Sequence, residues 1–266
     1  MTSFNSNGFT LGVDNSDLHN KNNIAMVSWT FRKQPKFFDV VKYTGTGSAR
    51  TVAHNLGSVP GMIIVKQRNS TKEWRVYHRS LDGSAPEDYY VVLNSANDRI
   101  DNADTWNDTA PTSSVFTVGT NQVTNEDGEN FIAYLFAHHD DDGGFGEPGD
   151  QDIIKCGGYT GNGNSTGPVV TLGFEPQLIM IKRTDNAENG HWFVFDSMRG
   201  ITDNADDAYV YWNRNNAEVA GNVLKATSTG FQLQDTGTGQ NANNGTYIFM
   251  AIRRGGMQTP TAASDV

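Results

Sequence analysis

Short apolar runs, each bounded by Gly, Asn, Asp or Pro, recur along the whole chain. FFDVVKY, GMIIVKQ, EWRVYHR, DYYVVLN and NFIAYLF are examples. They are rich in β-branched and aromatic residues and too short for helices, so they read as strands. In WRVYHR the alternation puts Trp74, Val76 and His78 on one face and Arg75, Tyr77 and Arg79 on the other. MIIV and LIMI do not alternate; such continuous apolar runs predict central strands covered on both faces. No window of eleven or more residues sustains a 3.6-residue period with helix caps, so very little helix is expected. About seven strands per hundred residues, separated by turns, predict an all-β fold of tandem antiparallel β-sandwich domains, jelly-roll-like.

The pattern repeats. FFDVVKYTGTGSARTVAHNLGSVPGMIIVKQ has a partner in IIKCGGYTGNGNSTGPVVTLGFEPQLIMIKR. Tyr43-Thr44-Gly45 matches Tyr159-Thr160-Gly161, Pro60 matches Pro176 and Lys66 matches Lys182, each 116 positions apart. Trp74 and Trp192 are 118 apart, so one loop has grown by two residues. Further on, YYVVLNS corresponds to YVYWNRN, SSVFTVG to STGFQLQ, and NFIAYLFA to TYIFMAIR. The chain therefore holds two copies of one unit, residues 36–140 and 152–258, with a Gly- and Asp-rich linker at 141–151 and a tail at 259–266. Residues 3–31 align with the end of a unit at an offset of 107, through Phe9 with Phe116 and Trp29 with Phe136. Residues 1–35 thus read as a partial repeat, the last strand pair of a unit, acting as a docking or oligomerisation segment. Strands are expected near 8–12 and 24–31, completing a sheet of the first full unit or of a neighbouring subunit.

Composition narrows the function classes. Hydrophobic residues make up 36% and charged residues 19% of 266, with 28 glycines, a turn-rich globular profile. No apolar run approaches the roughly 20 residues that cross a bilayer as a helix, and no basic, then apolar, secretory leader is visible. The net charge of −10 argues against nucleic acid or membrane as a partner. A single cysteine, Cys156, excludes an internal disulfide and reads as a buried thiol.

Candidate chemistry is sparse. YTGTG and YTGNG lack the spacing of phosphate-cradling loops, and their glycines read as turn residues. There is no GxSxG, His78 is replaced by Asp196 in the second copy, and no carboxylate pair recurs, so no catalytic residues are assigned and no enzyme is expected. HHDDDGG gathers His138, His139 and three Asp residues, with Glu147 nearby. Consecutive Asp residues point in different directions, so a solvated linker is the first reading. No cofactor is called for; a weak Ca²⁺ site at Asp140, Asp142 and Glu147 is the alternative. Trp74 and Trp192 recur and read as core. Trp106 lies in a polar loop, NADTWNDTAPTSS, and Tyr89, Tyr90, Tyr211 and Trp212 lie on the matched strands before it. A loop plug or subunit contact is the first reading for these aromatics; the alternative is a sugar surface, since aromatics beside Asn and Asp suit one and rings stack on pyranose faces.

YTGTGSARTVAHNLGSVPGMIIVK, followed by WRVYHRSL and TWNDTAP, resembles a repeat domain common in virion proteins of marine bacteriophages, including tail-fibre-like and other large tail proteins of cyanophages. YTGNG, LGFEPQLIMIK and HWFVFDSMRG resemble a sister version. The resemblance implies a structural or receptor-binding protein of the virion, on the phage tail or particle surface and made in the host cytoplasm. It implies other virion proteins as partners and a homo-oligomer, with a trimer preferred because fibres tend to be trimeric. It supplies no functional residues, because the shared motifs are folding motifs. Three functions follow as expectations: a tail fibre or tail component for host attachment that binds host surface glycan; a capsid decoration or tail adaptor protein that binds only other virion proteins; and, last, a polysaccharide depolymerase.

Overall fold

A strand needs neighbours for its backbone N–H and C=O groups, and the apolar runs of each full repeat supply them to one another. The computed structural model describes residues 1–5, 8–13, 19–146, 149–201 and 208–255. Among these the protein is an all-β sandwich with only short helical turns. The chain divides into two units, residues 1–33 and residues 34–266.

In the first unit, β1 (Ser3–Asn5) and β2 (Gly8–Thr10) form a small antiparallel hairpin in which Phe4 faces Phe9. The strand expected near 8–12 is therefore present, shortened, and paired locally. The strand expected near 24–31 does not form, and Ile24, Met26 and Val27 stay about half exposed. The matched segment at 130–137 is a strand flanked by two others; no described strand lies beside residues 24–31 to satisfy that backbone.

The second unit contains both repeats. In repeat 1, β3 (Phe38–Thr44), β5 (Pro60–Gln67), β6 (Arg75–His78), β7 (Tyr89–Val92), β8 (Ile100–Asp101) and β10 (Asn130–Ala137) form one sheet. Its order is β3-β10-β5-β6-β7-β8, so the last strand of the repeat slots between two early ones. A second, two-stranded sheet joins β4 (Arg50–Ala53) to β9 (Val115–Val118). Two single-turn helices, α1 (Ala103–Trp106) and α2 (Gln122–Asn125), flank β9. Repeat 2 reproduces the plan with β11 (Ile154–Thr160), β18 (Thr246–Arg253), β13 (Pro176–Arg183), β14 (Trp192–Asp196) and β15 (Tyr209–Tyr211) side by side. Its smaller sheet has three strands, β12 (Val169–Thr171), β17 (Gly230–Leu233) and β16 (Leu224–Thr227).

Matching side chains do matching work. Tyr43 donates its hydroxyl to Thr124 O (2.5 Å) and stacks on Phe131; Tyr159 donates to Gln240 O (2.7 Å) and stacks on Tyr247. Asn125, fully buried, accepts from Thr46 N and donates to Ser48 O and Gly119 O; Asn241 accepts from Asn162 N and donates to Asn164 O and Asp235 O. Each bond sits 116 residues from its counterpart. The Asn amide thus closes the YTG(T/N)G loop in both repeats, and Gly47 and Gly163 take the left-handed φ of 65° and 63° that the loop requires. Trp74 N and Trp192 N each accept an Asn cap, donating to Asn94 Oδ1 and Asn213 Oδ1, which aligns Tyr90 with Tyr209 rather than Tyr89.

The two repeats are not separated by the segment at 141–151; their large sheets lie against each other. Register places Met62, His78 and Phe136 on one face of repeat 1 and Cys156, Met180, Val194 and Met250 on one face of repeat 2. All are buried, while the core between the sheets of repeat 2 uses the opposite face, with Ile179, Ile181, Phe193 and Phe249. His78 Nε2 reaches Phe249 O at 3.0 Å, and Trp192 Nε1 donates to Val92 O at 2.9 Å. A Cβ at Gly61 would lie 2.8 Å from the Cys156 side chain, so glycine permits this approach. The free Cys156 is buried there, and burial pushes its thiol up to about 12. This explains the apolar runs MIIV and LIMI: one face meets the repeat's own small sheet and the other meets the sister repeat. Each fully buried large side chain in that layer contributes about 1.5–3 kcal/mol.

Candidate functional site

The aromatic candidates do not converge. Trp106 ends α1, is 2% exposed, donates Nε1–H to Tyr89 O at 3.1 Å and meets Tyr77 edge-on at 6.2 Å. The turn of α1 carries the indole inward, where its one donor needs an acceptor. It fills the plug role and offers no stacking face. Tyr90 is also buried, with the Arg75 guanidinium 4.0 Å over its ring. Tyr89 is half-buried beneath Arg99 at 4.7 Å. Tyr211 is half-buried among Phe193, His191 and Arg214, and Trp212, half-buried, continues the ladder by donating N–H to Trp192 O. Trp106, Tyr89 and Tyr90 therefore belong to repeat 1, and Tyr211 and Trp212 to repeat 2.

The acidic segment is spent on its own loop. Asp140 pairs with Lys155 at 2.9 Å, and Asp142 Oδ1 accepts from Asp140 N. Asp152 accepts from Asp141 N and Gly143 N. His139 Nε2 donates to Lys36 O and its Nδ1 accepts from Ile153 N. Glu147 lies outside the described residues. Among the described residues no group of three or more His, Cys, Asp or Glu side chains could hold a metal ion. Asp140 and Asp142, the described members of the calcium alternative, are each turned to a separate partner.

A cleft in repeat 1 does bring chemistry together. It has a volume of about 790 Å³ and lies where the end of β6 meets the loops at 57–60, 84–87, 110–113 and 138–142. Tyr77 forms its floor. The ring is 3% exposed and its hydroxyl has no hydrogen-bond partner among the described residues, although the phenol lines the cleft. Burial raises its pKa first, and the Glu87 carboxylate raises it further while Arg79 opposes, so both charges act on this hydroxyl. Ser58 Oγ, also at the cleft, is buried without a partner. Arg79 is exposed, and neither its side chain nor that of Glu87 makes an ion pair or hydrogen bond among the described residues. His138 stands at the rim; burial, reinforced by the Arg79 charge, pushes its imidazole down to about 4, so it is neutral at pH 7. Its Nδ1 accepts from Cys156 N at 3.2 Å, leaving Nε2 as the N–H. Val59, half exposed, and Pro60, Pro86 and Pro111 add apolar surface.

Among the described residues, repeat 2 does not carry these groups on the matching scaffold. The position of Tyr77 holds Phe195, that of Arg79 holds Ser197, and that of Ser58 holds Phe174. Phe195 and Phe174 are buried in the apolar core. The alternation in WRVYHR already set Tyr77 and Arg79 on one face. The signal for the site was their loss in the sister copy, and nothing in the spacing joined them to Glu87.

No curated protein and no solved structure matches the chain. One family model does, over residues 1–254, so that it spans the N-terminal unit and both repeats. The chain belongs to that family, DUF7483, described as a domain of unknown function.

Proposed function

We propose that this protein is a structural component of a bacteriophage particle, a tail or tail-fibre protein that helps the virion attach to its host, acting by binding and not by catalysis. The observation that carries this reading is the division of labour between two copies of one sandwich. The scaffold, with its Asn-clamped loops and inter-sheet layer, is kept in both, whereas the Tyr77, Arg79 and Ser58 side chains that line the cleft of repeat 1 are replaced by Phe195, Ser197 and Phe174 in repeat 2. That is the pattern of a rigid support with one specialised surface. Attachment by many copies multiplies weak contacts, so a homo-oligomer, with a trimer preferred, suits the role. Antibody labelling of intact particles tests the reading. Density at the tail supports it; protein absent from purified particles removes it.

A second reading, an adaptor or decoration protein that binds other virion proteins, is favoured by one feature. Residues 24–27 carry the half-exposed Ile24, Met26 and Val27 in a segment with no strand pairing among the described residues. Stoichiometric rebinding to particles stripped of the protein, lost on Ile24→Asp/Met26→Asp, would support it.

A further inference from the structure

We infer that the cleft of repeat 1 is a saccharide site for a neutral, hydroxyl-rich sugar, held by Tyr77, Arg79 and Glu87. The inference rests on the attachment reading above and names the ligand class and the residues that contact it.

The first support is unsatisfied polarity. A buried hydroxyl without a partner costs free energy unless water or a ligand completes it. Ser58 Oγ lies at the cleft in that condition, and the Tyr77 side chain lines the same cleft with no hydrogen bond from its hydroxyl among the described residues. Phe195 and Phe174 stand at the matched positions of repeat 2, so the fold does not need hydroxyls there.

Charge then selects the ligand. Lys36 and Arg79 face Glu87, Asp140 and Asp142 around one opening, and His138 is neutral. An anion would meet three carboxylates and a cation would meet Lys36 and Arg79. A neutral polyol uses both signs at once: Arg79 donates to a sugar oxygen, Glu87 accepts from an adjacent hydroxyl, and the Tyr77 hydroxyl can do either. Val59 and Pro86 supply apolar contact for the C–H face of a pyranose. The volume, about 790 Å³, falls within the range of small-molecule sites and accommodates a short oligosaccharide.

The test exchanges the cleft for its own sister. Tyr77→Phe/Arg79→Ser installs the repeat 2 residues on the same scaffold, and Glu87→Gln removes the acceptor charge at a half-buried position. Unsubstituted gluco-, manno- and galacto-oligosaccharides, with inorganic phosphate as the anionic control, are titrated into the full chain and followed by amide chemical shifts. The expected result is millimolar binding of at least one neutral sugar, with shifts centred on residues 77–87. It should weaken at least about tenfold in each variant at unchanged melting temperature. The inference is overturned by silence towards every neutral sugar, by binding that survives the double substitution, or by binding of phosphate alone. A silent cleft on a protein that does label at the tail overturns the saccharide site only. A sugar-binding cleft on a protein absent from particles overturns the attachment reading only.

Discussion

The same lysine–tryptophan clamp occurs in both repeats, in two different surroundings. Lys66 Nζ donates to Ser70 O and Lys72 O at 2.6 and 2.7 Å, 6.0 Å from the centre of the half-buried Trp74. Lys182 Nζ donates to Gly190 O, 5.6 Å from Trp192, and is fully buried. Its burial pushes the ammonium down to about 7, with the Asp98 carboxylate of repeat 1 opposing. The difference comes from packing. Repeat 1 covers the second clamp, as Trp192 Nε1 bonding to Val92 O and the Ala96 carbonyl against Gly190 show. The same matched Lys and Trp thus form a solvated loop brace in one copy and part of the inter-repeat layer in the other. His78 and Asp196 show the same split. Each accepts the N–H two residues on at 3.1 Å, but His78 also reaches across to Phe249 O whereas Asp196 pairs with Arg199 at 3.1 Å.

The largest test of this comparison is Trp192→Ala against Trp74→Ala. The first empties a buried site and orphans Val92 O, and should cost about 3–5 kcal/mol; the second, half-exposed, should cost about half as much. Equal losses in urea unfolding would show that the inter-repeat layer is not what distinguishes the clamps.

Acid should act next, through His78, which burial pushes down to about 3. The unfolded chain binds its proton near pH 6.5 and the folded chain does not, so this contribution is complete above about 6.5 and lost as pH falls towards 3. About 3 kcal/mol should be gone by pH 4. His138, pushed down to about 4, adds loss of the same sign. His78→Asn keeps the turn acceptor that Asp196 provides and should flatten the acid limb of the melting profile. An unchanged limb would place the titration elsewhere.

Asn125→Ala and Asn241→Ala should each cost about 2–3 kcal/mol, because each removes one acceptor and two donor bonds from a buried loop. Here the repeats should agree, and a twofold difference would break the equivalence. The alkaline limb gives a further test, through Lys182→Met. Since the folded pKa lies near 7, below the unfolded value, wild-type stability should rise as pH goes from 7 towards 10; the variant should lack that rise and Lys66→Met should keep it. Thermal melts across that range decide it.

Local spacing alone foretold much of this. The 116-residue register, the strands, the turn glycines and the double coverage of MIIV and LIMI are properties of short windows and their repetition. Trp106 shows the limit: a tryptophan among Asn, Asp and Thr reads as a plug or as an exposed contact, and only α1, turning it inward onto Tyr77 and Tyr89 O, decides for the plug. Residues 24–31 show the converse. Their apolar pattern is that of β10, but a strand also requires paired backbone on its flanks, and the pattern does not carry its neighbours.

By itself the sequence determined that this is a duplicated all-β protein, because side-chain alternation and turn chemistry act over a few residues and repeat at a fixed offset. Only the tertiary structure decided which faces meet, that Lys182 and His78 leave water, and that Tyr77, Arg79 and Glu87 share one cleft. Those outcomes depend on contacts between residues far apart in the chain, whose geometry no local period encodes.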